Sequence, residues 1–418
     1  MNIPIKNVAL DYFPEFKCLC DKCNYTCCYQ WQIDIKRPDY MKVKNLHINK
    51  EMKEKIATSF KRVKNHPRGY YAQIMLKKDG YCPFLSDNKM CSLQQECGYG
   101  ILPEVCKKFP RIENISPVQW EKLCSTGCEQ VVNLLLARPQ GLRMIEIESE
   151  KGKVPYMDQE YAAKKFAARP GLEFYKEIQM LFMGILQNRN YSLSQRMVLL
   201  GLVSRDLDKV QTKQDVISFL QKSISLLEYS PQMQQQLCEL QTNTTEGVLI
   251  AFKQMITKDI KLQNQIRDQY FDAMMDSVHQ NLGIELKKQE NTAATVELLV
   301  DIQKYAAAKI HFDNIPETQY LMENVMVNLM LYSQFPQIWM DDKTPVWDNY
   351  LNFVIRYNIF MVLCVGYMAD KTDIQDLVHS VTVCSRTLQH NTNFRKQLVQ
   401  QWKEEKLDTL AQIAYLVG

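Results

Sequence analysis

The cysteines of this chain constrain its fold more than any other feature. Eleven of the fourteen, Cys18, Cys20, Cys23, Cys27, Cys28, Cys82, Cys91, Cys97, Cys106, Cys124 and Cys128, fall in the first 128 of 418 residues; only Cys238, Cys364 and Cys384 lie beyond. Such density means either a disulfide-stapled secreted domain or a thiolate metal site, and the redox compartment separates the two. The first residues, Met1 to Phe13, lack the basic stretch and following apolar run of a secretory signal, so a cytoplasmic protein is expected. Disulfides do not persist in a reducing cytosol, and the cluster therefore reads as a metal site.

Spacing narrows the metal. The first group runs Cys18-Leu-Cys20-Asp-Lys-Cys23-Asn-Tyr-Thr-Cys27-Cys28; the second holds Cys82-Pro83-Phe84-Leu85, then Cys91, then Cys106-Lys-Lys-Phe109-Pro110-Arg111. Structural zinc sites commonly pair two CxxC knuckles, but here only Cys20 and Cys23 have that spacing. Adjacent Cys27 and Cys28 do not readily bind one ion together. A cluster of iron and sulfide fills a larger volume and collects ligands from distant segments, so an iron–sulfur cluster, of the 4Fe-4S type, is the expected group, with zinc as the alternative. The radical signature CxxxCxxC is excluded: Cys23 and Cys27 open it, but Gln30 stands where its third cysteine belongs. Pro83 stiffens the loop after Cys82, and the Lys107-Lys108 pair is expected to favour the Cys106 thiolate. Arg111 reads either as an anchor for the cluster loop or as half of a surface ion pair.

The rest of the chain reads as helical. Glycine, at 14 residues, is about half its usual share, and neither GxGxxG nor GxxxxGK[ST] occurs, which argues against a doubly wound α/β fold. Trp31, Ile33 and Ile35 alternate as a short extended segment, and Asn49 to Lys64 reads as a mixed-charge helix. Phe174, Ile178, Leu181, Phe182 and Ile185 recur at helical spacing, as do Val216, Phe219, Leu220 and Leu227, and Ser192 resembles a helix cap. Helices are also expected over 295–312, 318–333, 346–369 and 372–400, with Pro316, Pro336 and Pro345 as breaks. Leu351 to Ala369 is long enough to cross a membrane, but Asn352, Arg356, Asn358 and Tyr367 make a buried helix the better reading, with no membrane span. A net charge of only +4 gives no reason to expect nucleic acid. The expected fold is mainly α, a cysteine-rich, loop-dominated metal-binding region (1–130) on a large helical domain (131–418).

Cys18-x4-Cys23-x3-Cys27-Cys28 with Trp31 close behind, then Cys82-Pro83-Phe84-Leu85, Cys91 and Cys106-x2-Phe109-Pro110-Arg111, resembles the flagellin lysine N-methylase family and the wider CxxCxxCC group of zinc- or iron-chelating proteins. Cys128-Glu129 resembles the family's SCPE element, with Gly127 in place of the serine and no proline. Arg196-Met-Val-Leu-Leu-Gly201 resembles its RLxxLG segment, and Glu323-Asn324 and Arg386-x3-His390 echo it more weakly.

The resemblance implies that Cys18, Cys23, Cys27, Cys28, Cys82, Cys91, Cys106 and Cys128 are the candidate metal ligands, twice the four that one cubane cluster needs, and that Cys20, Cys97 and Cys124 are extra thiols. It further implies a protein-lysine N-methyltransferase that uses S-adenosylmethionine and acts on flagellin. With no glycine-rich cofactor loop, the methyl donor is expected in a site unlike the Rossmann type, for instance at an open iron. No histidine pair forms a metal motif, and only His390 suggests a base. The alternative from a different class is a non-catalytic zinc- or iron-chelating module on a helical interaction scaffold.

Overall fold

The residue types that make Val346–Met368 long and apolar also make it the centre of the molecule's packing. The computed structural model describes residues 2–31, 33–64, 69–148, 156–168, 170–240, 268–288, 296–335, 344–389 and 392–417. In chain order these form strands β1 (Asn2–Pro4), β2 (Lys6–Leu10) and β3 (Ile33–Ile35), helices α1 (Arg37–Lys44) and α2 (Lys50–Ser59), and strands β4 (Phe60–Arg62) and β5 (Ala72–Ile74). The short helices α3 (Ser92–Cys97) and α4 (Glu104–Lys108) follow, then β6 (Arg111–Ile115), β7 (Gln119–Cys124), α5 (Glu129–Leu136), β8 (Met144–Glu146) and β9 (Tyr156–Asp158). The helical part comprises α6 (Gln159–Ala168), α7 (Tyr175–Leu186), α8 (Leu193–Leu207), α9 (Lys213–Ser223), α10 (Pro231–Leu240) and α11 (Gln269–Leu282). After the hairpin β10 (Glu285–Lys288) and β11 (Val296–Leu299) come α12 (Ile302–Asp313), α13 (Pro316–Leu329), α14 (Val346–Met368), α15 (Ile374–Gln389), α16 (Thr392–Glu404) and α17 (Leu410–Leu416).

The fold is mainly α, as expected, with a cysteine-rich N-terminal region built of loops, short helices and short strands. Two sheets there escape the sequence pattern. In one, β2 pairs in parallel with β7 and antiparallel with β8, and β6 closes the edge on β7. In the other, β5 lies between β3 and β4. The expected extended segment is β3. The expected helix from Asn49 starts correctly, because the Asn49 side chain accepts the Met52 amide at 2.8 Å, but it ends at Ser59. Phe60 leaves it to pair with Ile74 and to lay its ring 5.8 Å from Phe84, contacts that local propensity cannot show.

Two other expected helices need adjustment. Val296–Leu299 is strand rather than helix, and α12 begins only where the Asp301 carboxylate accepts the amides of Gln303 and Lys304 at 2.9 and 3.1 Å. Pro316 stands at the expected break between α12 and α13, as the first residue of α13, and α13 continues into a π-helical turn, Met330–Gln334. The stretch 372–400 holds two helices, α15 and α16. Pro336 and His390 lie outside the described residues.

Ser192 caps α8 as read from the sequence, in a reciprocal capping box with Gln195. The N-terminus of α14 is capped from a distance: the Asp208 carboxylate accepts the amides of Val346 at 2.6 Å and Trp347 at 2.8 Å. By length and composition α14 could cross a bilayer, but 89% of its most apolar window is buried. Helices α8, α11, α12, α15 and α16 pack around it. Two of its polar residues are partly paired there: Arg356 Nη1 donates to Ser333 Oγ at 2.7 Å, and Asn358 Nδ2 to the Leu416 carbonyl, while Arg356 Nε and Nη2, Asn358 Oδ1 and Asn352 Oδ1 are buried without a hydrogen bond among the described residues. Val354, Phe360 and Leu363 are fully buried along it, each contributing about 2 kcal/mol.

Apolar residues gather into two cores. The smaller comprises Ile33, Ile35, Val43, Met52, Ile56, Ala72, Ile74, Cys82, Phe84, Leu93 and Leu102. The larger spans the helices but also takes Leu10, Tyr12, Phe16, Leu123 and Cys124 from the N-terminal region. Tyr12 ties them in, its hydroxyl donating to Asn328 Oδ1 at 2.5 Å and accepting the Cys124 amide at 2.8 Å.

Candidate metal centre

The thiols lie along the seam between the two cores, and three local devices bring them there. The first is a short antiparallel bridge between Tyr29 and Tyr81, in which the Cys82 amide donates to the Cys28 carbonyl at 2.7 Å and the Gln30 amide to the Gly80 carbonyl at 2.9 Å. Gly80 makes the turn possible: its φ is +84°, and a Cβ there would stand 2.8 Å from Gln30 Nε2. The second device is a bridge from Leu85 to Cys91, with the Ser92 amide and hydroxyl both donating to the Phe84 carbonyl, which sets Cys91 at the N-cap of α3. Cys106 faces the same side from α4, and Cys28, Cys91, Cys97 and Cys106 all pack against the smaller core.

The third device joins the loop 23–28 to the helical region. Cys128 is the N-cap of α5 and Glu129 occupies its first turn, where the helix dipole favours a carboxylate. Glu129, almost fully buried, accepts the Asn24 amide at 2.7 Å, Asn24 Nδ2 at 2.9 Å, the Tyr25 amide at 3.2 Å and Cys23 Sγ at 3.4 Å. From α15, Arg386 spreads its guanidinium over three carbonyls: Nε donates to Gly127 at 2.9 Å, Nη1 to Thr26 at 3.2 Å and Nη2 to Tyr25. Carboxylate and guanidinium thus clamp one loop from opposite sides.

Cys27 is the hub of the thiols. It contacts Cys28, which in turn contacts Cys82, and it lies near enough to Cys91, Cys106 and Cys128 that ionising it would raise each of them. Cys18 bears on Cys128, and Cys23 neighbours Cys128. All eight cysteines singled out by the resemblance belong to this network. Two of the other three reach the same network, Cys20 beside Cys18 and within the field of Cys27, and Cys124, fully buried in the larger core, as a neighbour of Cys128; Cys97 ends α3 with Glu96 as its charged neighbour.

Burial pushes the Cys106 and Cys128 thiols up to about 12. Cys23 reaches about 12 through burial and the charge of Glu129. Cys28, lowered by its contact with Cys27, is nonetheless carried to about 12 by its contact with Cys82 and by burial. The expected help to Cys106 from the lysine pair is not realised. Lys107 Nζ donates to the Gly100 carbonyl at 2.6 Å and Lys108 pairs with Glu104 at 2.8 Å, so desolvation dominates. Arg111 lies 4.8 Å over the Phe16 ring as a cation–π contact, and its charge lowers the Cys124 thiol.

Most of these soft donors are partly or fully withdrawn from solvent, whereas Cys18 and Cys27 stay exposed, and among the described residues Arg386 lowers Cys27 and Lys55 lowers Cys91. Cys23, Cys28, Cys106 and Cys128 nonetheless stay well above the ordinary thiol value, and a bound metal would supply the positive charge that favours their thiolate forms. Among the described residues, no three histidine, cysteine or carboxylate side chains converge tightly on one point as for a single ion.

An aromatic wall, missed in the sequence, closes the outer side. Tyr25 lies 4.4 Å from the His379 ring and 5.2 Å from Tyr270; Tyr29 lies 4.6 Å from Tyr81 and 5.5 Å from Tyr270. Burial lowers His379 to about 4, so it stands neutral at neutral pH. The available signal was the pair Tyr25 and Tyr29 flanking Cys27-Cys28; their partners on α11 and α15 are about 240 to 350 residues away along the chain.

Comparison with known proteins matches residues 179–416 to the FliB lysine N-methylase C-terminal domain and residues 19–128 to the CxxCxxCC zinc- or iron-chelating domain. The flagellar biosynthetic protein FliU of Salmonella muenchen is 24% identical over 142 residues, 33% of this chain and 81% of that protein. The lysine-N-methylases of Salmonella typhimurium and Salmonella choleraesuis are each 24% identical over 139 residues, 32% of this chain. The chain spans about a third, 33%, of the length of each of those two relatives. No solved structure matches.

Proposed function

Since the chain belongs to the flagellin lysine N-methylase family, we propose that it transfers methyl groups from S-adenosylmethionine to lysine ε-amines of flagellin, in the cytoplasm, with an iron–sulfur cluster on its thiols. The observation that carries this reading is the coincidence of two features in one chain. The C-terminal domain match covers the helices from residue 179 on, and the eight thiols of the family pattern are linked to one another through Cys27, Cys28 and Cys128. A network of eight thiols with no single point of convergence suits a group with several metal positions better than a lone ion.

The reaction itself is a direct displacement. The neutral ε-amine attacks the sulfonium methyl in line; the C–S bond breaks, the sulfide leaves neutral, and the amine releases one proton to water or a base. When bound, the cluster would supply a rigid thiolate cross-link between the two cysteine groups. Glu129 and Arg386 hold the 23–28 loop in position for it, and the packed rings of Tyr25, Tyr29, Tyr270 and His379 keep water from that side.

The test is incubation of anaerobically purified protein with methyl-labelled S-adenosylmethionine and flagellin, alongside metal and acid-labile sulfide analysis. Label on flagellin lysine is expected, with iron and sulfide in the protein. Absence of label would refute methyl transfer; zinc without sulfide would replace the cluster with the zinc alternative.

A further inference from the structure

The helical domain holds a cavity of about 610 Å³, within the ordinary range for a small-molecule site. It lies between the α7–α8 turn and helices α12, α13 and α14, and its inner wall is a charged triad. Glu323, 1% exposed, receives Arg196 Nη1 on Oε2 at 2.6 Å and Arg189 on both oxygens, with Nη2 to Oε1 at 2.8 Å and Nε to Oε2 at 3.1 Å. Arg196 spends its Nε on the Tyr191 carbonyl and also donates Nη1 to Leu186. Both carboxylate oxygens are therefore occupied, while Arg196 Nη2 and Arg189 Nη1 take part in none of the described hydrogen bonds. Lys309 and Asp313, also in the lining, neutralise each other at 2.5 Å. Two guanidiniums against one carboxylate leave a residual positive charge with two spare donors. The lining also includes the apolar and aromatic side chains of Phe312, Met322, Tyr357 and Met361, with Tyr357 near Arg196.

We infer that this cavity, and not the thiol centre, binds the methyl donor, its carboxylate on the spare Arg189 and Arg196 donors and its adenine against the aromatic side chains; this rests on the methyl-transfer reading above. Guanidinium forks match carboxylates in geometry, and an apolar lining suits a flat base. The two sites lie at opposite ends of α5. Cys128 caps its N-terminus, whereas Asn324, next to Glu323, donates to the Leu135 and Arg138 carbonyls at its C-terminus. An eight-residue helix is about 12 Å long, so a donor on the arginines does not touch the thiols. The exposed residues Arg189, Asn190, Asp313 and Gln319 form the mouth through which a substrate lysine would enter.

Equilibrium binding to the full chain tests this, with S-adenosylmethionine and its decarboxylated analogue as probes. The variants are Arg189→Gln, which removes one spare donor at a solvent-exposed position, and Gln319→Trp, which fills the mouth from an exposed helix face. Wild type should bind the carboxylate form about tenfold more tightly than the decarboxylated one. Arg189→Gln should lose that preference, and Gln319→Trp should weaken both probes. Undiminished binding with the carboxylate preference intact in both variants overturns the cavity assignment while leaving methyl transfer standing. No binding of S-adenosylmethionine to the wild type overturns both.

Discussion

Replacing Arg386 by leucine removes the one side chain that joins α15 to two separate parts of the metal centre. Its guanidinium holds the carbonyls of Tyr25 and Thr26 in the cysteine loop and that of Gly127 beside Cys128. Charge-assisted bonds contribute about 1.5 to 3 kcal/mol each, and the half-buried setting places these at the lower end. Three such bonds sum to about 4.5 kcal/mol. Water rehydrates the released carbonyls and the three losses are not independent, which brings the expected local destabilisation to about 3 kcal/mol. That corresponds to an open population of the 23–28 loop about a hundredfold larger. Amide hydrogen exchange at Asn24, Tyr25 and Cys28 reads this directly, and metal content per chain reads its consequence. Arg386→Lys should fall between, because one ammonium cannot span three carbonyls. Exchange within threefold of wild type together with full metal content in the leucine variant would refute the clamp.

Three further outcomes follow from the same geometry. Gly80→Ala forces a side chain into a left-handed turn and against Gln30, and should cost about 1–2 kcal/mol in the small core, seen as lower metal retention and faster proteolysis between 28 and 106. Glu323→Leu strands the buried Arg196 charge and should destabilise the helical domain by about 3–5 kcal/mol in urea unfolding, whereas Arg189→Gln, at the exposed end of the same triad, should cost no more than about 1 kcal/mol. Glu121 is buried against Gln119 and Gln179, and burial raises its carboxyl above 4.5. A raised carboxyl favours the folded state below its unfolded value and loses that contribution as pH climbs toward the folded one. Stability measured from pH 4.5 upward should therefore fall more for wild type than for Glu121→Gln; parallel profiles would contradict it.

Much of the architecture was legible in the chain. The α8 cap at Ser192, the helical periodicity of α7 and the burial of α14 rest on neighbours within a few turns, and those signals are local. The boundaries that were missed depended on distant partners. Phe60 left a helix for Ile74 and Phe84, and Val296–Leu299 joined a hairpin with Glu285–Lys288, pairings that contribute energy only once the strands meet. The lysine pair beside Cys106 misled for a related reason, since charge counted along the sequence says nothing of how deeply a thiol is buried.

The sequence by itself determined that thiols dominate the N-terminal third, that most of the chain is helical and which family it resembles, because residue chemistry and spacing are carried in the chain directly. Only the tertiary structure decided that Cys27 is the hub, that Glu129 and Arg386 clamp its loop, and that Arg189, Arg196 and Glu323 enclose a cavity at the far end of α5. Apart from Arg189 and Arg196, those side chains come from positions about 100 to 360 residues apart, and no local rule specifies a meeting that is stabilised only when both cores have formed.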